Sequence, residues 1–287
     1  MKIVFETYVI LLIGIFLICV EASSATDECQ EKYGNGPNRF SLATGSPGEL
    51  GLLKALAEAF DSSANATMCW KKAGSGESMK LLKEKQVDMI MVHAPAAEKK
   101  AVEDGWATKR TLIGSNEFFI VGPPEDPAKI SEAKSAADAY SRIASARSKF
   151  FSRGDNSGTH QKEMASWRNA GISPTGDWYI VTKDFMTATL KRANDEKGYF
   201  MTDSSTWVAE RKNLPGLKIL FRGDKFLVNT YHALCQPDSV TSGAATASKF
   251  IDFVASPAGQ EIIRNYGKDK YEQGLYDDAS YAMKYDD

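Results

Sequence analysis

The sequence is poor in the residues that build metal sites. Its 287 residues include 4 cysteines and 3 histidines, with no CxxC pair and no Cys/His cluster, so no metal centre is expected. Charge of one sign is also missing. A formal net charge of −2 creates no broad field for nucleic acid or an anionic membrane, and any anion must be captured by local groups. Heptads, tandem repeats and low-complexity runs are absent. The apolar run Tyr8–Val20 is shorter than the ~20 residues of a membrane-spanning helix. Preceded by Lys2 and followed by Ala22-Ser23-Ser24-Ala25, it has the pattern of a secretory signal peptide, residues 1–25. The expected location is therefore periplasmic or extracellular. In such an oxidising compartment Cys29, Cys69 and Cys235 allow one disulfide and leave one thiol over, and the pairing stays open. Asn65-Ala66-Thr67 is a glycosylation sequon that matters only in a eukaryotic source.

What is present describes a soluble α/β protein. Apolar content of 43% and charged content of 25% are those of globular chains, and the length suits one large domain or two ordinary ones. Residues 26–37 read as a polar leader. Arg39–Thr44 reads as a first strand, followed by Ser46 as N-cap, Pro47 at the first helical position and Glu49 closing a capping box. Leu50, Leu53, Ala57 and Phe60 then line one helix face. Strand, polar turn and helix recur at Thr67–Trp70, Gly74–Ser78 and Met79–Leu82, and again over 149–168. Val87–Val92 is a buried strand ending at His93-Ala94-Pro95. Further strands are expected at Asn116–Val121, Trp178–Val181, Gly198–Met201, Leu217–Phe221 and Tyr231–Leu234, with helices over Ser131–Ser148, Ala245–Ala255 and Ala258–Tyr266. Such alternation implies parallel sheets, whose ligands bind beyond the carboxyl ends of the strands.

The densest polar run, Phe151–His160, falls between a strand and a helix. A turn there exposes backbone N–H groups and the positive end of the helix dipole, and Arg153, Ser157 and Thr159 add a cation and two hydroxyls. That is the chemistry of an anion site. The competing reading is an ordinary helix cap supplied by Asp155, Asn156 or Ser157. A hydrolase using Ser157 and His160 needs a base aimed at the serine, and the G-x-S-x-G elbow is missing.

Taken together, Ser152-Arg153-Gly154-Asp155-Asn156-Ser157-Gly158-Thr159-His160, Val92-His93-Ala94-Pro95, Met186–Leu190 with Ala193-Asn194, and the tail Phe250–Phe253 through Ser256-Pro257-Ala258-Gly259-Gln260 resemble the tungstate-binding solute receptors of ABC importers, over about residues 38–266. The resemblance implies a two-lobed periplasmic binding protein fold, each lobe a mostly parallel sheet flanked by helices. Two crossing strands near Glu117–Gly122 and Asn229–Leu234 would join one lobe of residues 38–116 plus 233–287 to another of residues 117–232. It implies a monomeric, non-enzymatic receptor that needs no cofactor and hands an oxyanion to a membrane permease.

Tungstate and molybdate are dianions with acceptor oxygens only, so a matched site consists of donors. Protonated phosphate rewards a carboxylate in the site instead. Phosphate receptors share an R-x-D-x-S-G-T loop, but their second loop carries an aspartate where this chain has His93-Ala94-Pro95. The residues implied for the anion are Thr44, Gly45 and Ser46 from the first turn and Ser75 from the second. Arg153, Ser157, Gly158 and Thr159 follow from the third, with the backbone of Met186 and Thr187 from a fourth. The first turn, Thr44-Gly45-Ser46-Pro47-Gly48, replaces the family's run of threonines and a serine and keeps two hydroxyls. A phosphate or other small-anion receptor, a hydrolase, and a module that keeps the fold without the ligand are the alternatives.

Overall fold

Strands buried on both faces form the centre of the molecule, as a parallel sheet covered by helices on each side requires. The computed structural model describes residues 29–286; the expected signal peptide lies outside them. In chain order the elements are β1 Glu31–Gly34, β2 Asn38–Thr44, α1 Ser46–Glu49, α2 Leu52–Ala64, β3 Ala66–Lys72, α3 Ser75–Lys83, β4 Met89–Val92, α4 Pro95–Glu103 and β5 Thr108–Gly122. There follow α5 Ala136–Ser145, β6 Phe150–Ser152, α6 Gly158–Asn169, β7 Tyr179–Val181, α7 Met186–Asp195, β8 Tyr199–Asp203, α8 Ser204–Glu210 and β9 Lys218–Phe221. The chain closes with β10 Val228–Cys235, α9 Ala244–Ala255, α10 Pro257–Asn265, α11 Lys268–Tyr271, β11 Asp277–Asp278 and α12 Ala279–Ala282.

The strand order is β1-β3-β2-β4-β10-β5-β8-β6-β7, with β9 and β11 each joined to β5. At one end β2 lies parallel between β3 and β4. At the other, β6 lies parallel between β7 and β8. The long antiparallel pair β5 and β10 connects the two ends. Up to Glu117, β5 bonds to β10; from Phe118 onward it bonds to β8.

Each end of the sheet has its own core. Phe40, Leu42, Met89 and Met91 point to one face and pack with Leu53, Leu56, Phe60 and Phe250. Their neighbours Ala43, Ile90 and Val92 point to the other face and meet Met79 and Leu82, the period of two expected of strands. The second core gathers Tyr140, Phe150, Phe151, Trp167, Leu190 and Phe200, with the Tyr140 and Trp167 rings edge to face at 4.4 Å. Two cores on either side of two crossing strands make a two-lobed α/β fold. Among the described residues no helix is long and apolar enough to cross a membrane.

Three local expectations change. The segment expected as a leader contains β1, antiparallel to β3 and tied to it by a Cys29–Cys69 disulfide, while Cys235 is buried and free. The bond closes a loop with a sequence separation of 40, for which chain entropy gives about 4 kcal/mol. Cys29→Ser is expected to lower the melting temperature by on the order of 10 °C, a shift that thermal unfolding of the two proteins reads directly.

The helix expected from Ser46 breaks at Leu50 and restarts after Gly51, whose φ is +89°. The Leu50 carbonyl accepts from Tyr266 Oη at 2.6 Å, which satisfies the break. Gly45, not Ser46, occupies the cap position, and no side chain caps this turn. Glu49 closes no capping box because its carboxylate turns to Lys72, 2.6 Å away. Finally, the turn at His93-Ala94-Pro95 opens α4, where the Ala94 amide donates to Glu98 at 2.6 Å.

Candidate functional site

The turns that follow β2, β3, β4, β6 and β7 meet in the gap between the two cores and enclose a cavity. Thr44, Gly45, Ser46, Pro47 and Glu49 line it from the first turn, and Gly74, Ser75, Met91 and His93 from the next two. Arg153, Ser157 and Phe185 come from the other lobe, and Tyr231 from the crossing strand β10. The centre of a water-sized sphere can move through about 10 Å³ of it, room for one small group.

Hydrogen-bond directions decide what the walls offer. Ser75 Oγ accepts from the His93 amide at 3.2 Å, and Ser157 Oγ, the N-cap of α6, accepts from the His160 amide at 3.3 Å. Ser75 thus has a lone pair occupied and keeps its proton to donate, while the Ser157 hydroxyl also donates toward the Asp155 carboxylate. Thr44 is the reverse. Its Oγ1 donates to the Met91 carbonyl at 2.8 Å, so its proton is committed to the fold. Ser46 caps no helix, which leaves its side chain to line the cavity.

Arg153 is 5% exposed. It is held by Asp155 Oδ2, which accepts from Nη2 at 2.6 Å and from Nε at 3.1 Å. Burial pushes the Asp155 carboxyl up, but the Arg153 charge and the Ser157 donors outweigh it and hold it below its ordinary range. Two cations approach the Phe185 ring, Arg153 Cζ at 5.4 Å and Lys72 Nζ at 4.2 Å from its centroid. Lys72 in turn pairs with Glu49. The formal charges of Arg153, Lys72, Glu49 and Asp155 cancel, and His93 adds none. Burial, aided by the Arg153 charge, pushes the His93 imidazole down to about 3. Attraction for an anion therefore comes from aimed donors and from the amino ends of α3 and α6, not from net charge.

Thr44, Gly45, Ser46, Ser75, Arg153 and Ser157, expected from the sequence, meet at this cavity. Gly158, Thr159, Met186 and Thr187 are not among its lining residues. Gly158 and Thr159 begin α6 behind Ser157, and Met186 is buried in the second core. The fourth turn presents the Phe185 ring instead, from the N-cap position of α7, where no side chain caps the helix. Glu49, Phe185 and Tyr231 carry no sequence signal for this role. His160 is not aimed at Ser157 as a base: its Nδ1 accepts from the Asn156 amide at 3.0 Å.

Beneath the loop, Glu163 of α6 is buried with Trp167 Nε1 at 3.1 Å and Tyr179 Oη at 2.7 Å, both donating to Oε1. Burial raises its carboxyl to about 7 despite those donors. The folded protein thus keeps a proton that the unfolded chain releases near 4.5. The stability this group contributes is full below pH 4.5 and is lost as pH rises to about 7, on the order of 3 kcal/mol. Glu163→Gln is expected to match wild type at pH 4.5 and to exceed it at pH 8, as chemical denaturation at the two pH values will measure.

Two lobes joined by crossing strands, closing on a small cavity of donors, define a binding protein for a small solute. Residues 31–258 match the PBP superfamily domain. The chain is similar to the tungstate-binding protein TupA of Peptoclostridium acidaminophilum, 31% identical over 262 residues, or 90% of this chain and 91% of that one. A relative in Haloferax volcanii is 36% identical over 225 residues, 76% of this chain, and the chain covers 66% of its length. The structure of the tungstate ABC transporter from Geobacter sulfurreducens superposes with a TM-score of 0.73 at 36% identity, covering 81% of this chain and 100% of that one. The chain belongs to the PBP superfamily and, within it, to the family of the TupA proteins.

Proposed function

We propose that this chain is an exported, monomeric receptor that captures one fully deprotonated tetrahedral oxyanion, tungstate in preference to molybdate, and delivers it to an ABC permease. The observation that carries this reading is the pair of serine hydroxyls, Ser75 and Ser157. They come from opposite lobes and line the cavity beside Arg153, each fixed by a backbone amide; Ser75 has its proton free, and Ser157 turns its proton from Asp155 to the ligand. A dianion without protons accepts from all three and needs no acceptor in return. The lobes in this reading are residues 38–116 plus 233–287 and residues 117–232, hinged where β5 exchanges β10 for β8. The names of the relatives, tungstate-binding proteins, support the same ligand. The site works by binding alone, without a cofactor.

A phosphate receptor is the second reading, because Glu49 lines the cavity and a carboxylate can accept from a protonated anion. Its engagement by Lys72 at 2.6 Å weighs against that role. Isothermal titration with tungstate, molybdate, sulfate and phosphate separates the two. Tight tungstate binding that phosphate does not displace at pH 6 or pH 8 is expected. Phosphate binding that strengthens as the pH falls would establish the second reading instead.

A further inference from the structure

Two glycines stand where the lobes touch. Gly76 is in the first turn of α3, and Gly158 is the first residue of α6. Neither has a positive φ, so backbone conformation does not call for glycine at either place. Contact does. A Cβ on Gly76 would strike the Asn156 backbone oxygen and lie 2.7 Å from Asn156 Nδ2. A Cβ on Gly158 would strike the His93 ring and lie 2.7 Å from the His93 carbonyl oxygen. In both cases the obstacle is in the other lobe and includes backbone, which cannot rotate away as a side-chain tip can. Between these contacts Gly74 faces Ser157, with its added Cβ 3.1 Å from Ser157 Cβ. The contacts flank the two serines that face the cavity.

We propose that Gly76 and Gly158 are positioning residues for lobe closure. Their bare α-carbons let the amino ends of α3 and α6 approach closely enough for Ser75 and Ser157 to reach one ligand, and a methyl group at either position props the cleft open. This inference rests on the binding function proposed above. A helical glycine disfavours the helix relative to alanine, so the same substitution that blocks closure favours α3 locally. A purely structural role predicts the opposite pairing of effects.

The test compares wild type with Gly76→Ala, and with Gly158→Ala as a second variant, by thermal unfolding, titration with sodium tungstate and small-angle X-ray scattering. For Gly76→Ala a melting temperature at or above wild type is expected, with at least a tenfold loss of tungstate affinity and no fall in radius of gyration on adding tungstate. Wild-type affinity together with wild-type compaction in both variants would overturn the inference. If wild type binds none of the four oxyanions, the ligand assignment fails separately. Closure is then read from ligand-free scattering, where the variants must show the larger radius and equal radii would refute the inference.

Discussion

Arg153→Ala is expected to lower tungstate affinity by roughly thirtyfold or more while leaving the protein folded. Arg153 is the buried cation at the cavity wall, locked by two bonds to Asp155 and stacked on Phe185. Removing one member of a buried, hydrogen-bonded charge set costs about 2–5 kcal/mol in binding, part of it the penalty of leaving Asp155 without its partner. Asp155 keeps its bond from the Ser157 amide at 3.1 Å, so the loop retains a scaffold. Arg153→Lys preserves the charge but not the planar fork, and its loss should fall between wild type and alanine. Titration calorimetry measures both. Affinity within threefold of wild type for Arg153→Ala would remove this residue from the site.

The second large effect separates hydroxyls that face the ligand from one that serves the fold. Ser75→Ala and Ser157→Ala should each lower affinity by roughly tenfold to a hundredfold, the worth of a hydrogen bond to a charged group, ~1.5–3 kcal/mol. Thr44→Val should leave affinity nearly unchanged and instead cost ~1–3 kcal/mol of stability. Its hydroxyl proton is spent on the Met91 carbonyl, which valine would leave unpaired. Affinity and denaturation midpoints measured on the three variants give opposite patterns if the hydrogen-bond directions are as described. Equal affinity losses in all three would mean that Thr44 turns its proton toward the ligand on binding.

The contrast among these residues also explains what the sequence made legible. Arg153 and Ser157 stand out because donors, glycines and a cation are crowded into one turn, a local pattern. The α/β fold is legible for the same reason: Met89–Val92 is apolar at every position, and the turns that follow the strands are polar. Phe185 and Glu49 gain their places through Lys72, which reaches both from the end of β3, and no local pattern encodes such a contact. The break at Leu50 is likewise stabilised by Tyr266, far along the chain. β1 was hidden because Tyr33 is its one buried residue, so alternation gives almost no signal, and only its pairing with β3 brings Cys29 to Cys69.

One tungstate is expected to sit between the lobes on donors from both. Crystals grown with sodium tungstate and measured at the tungsten absorption edge test this most directly. A single tungsten peak within hydrogen-bonding reach, through its oxygens, of Ser75, Arg153 and Ser157 is the predicted result. No peak in that cavity, from crystals with tungsten bound elsewhere on the chain, would contradict it.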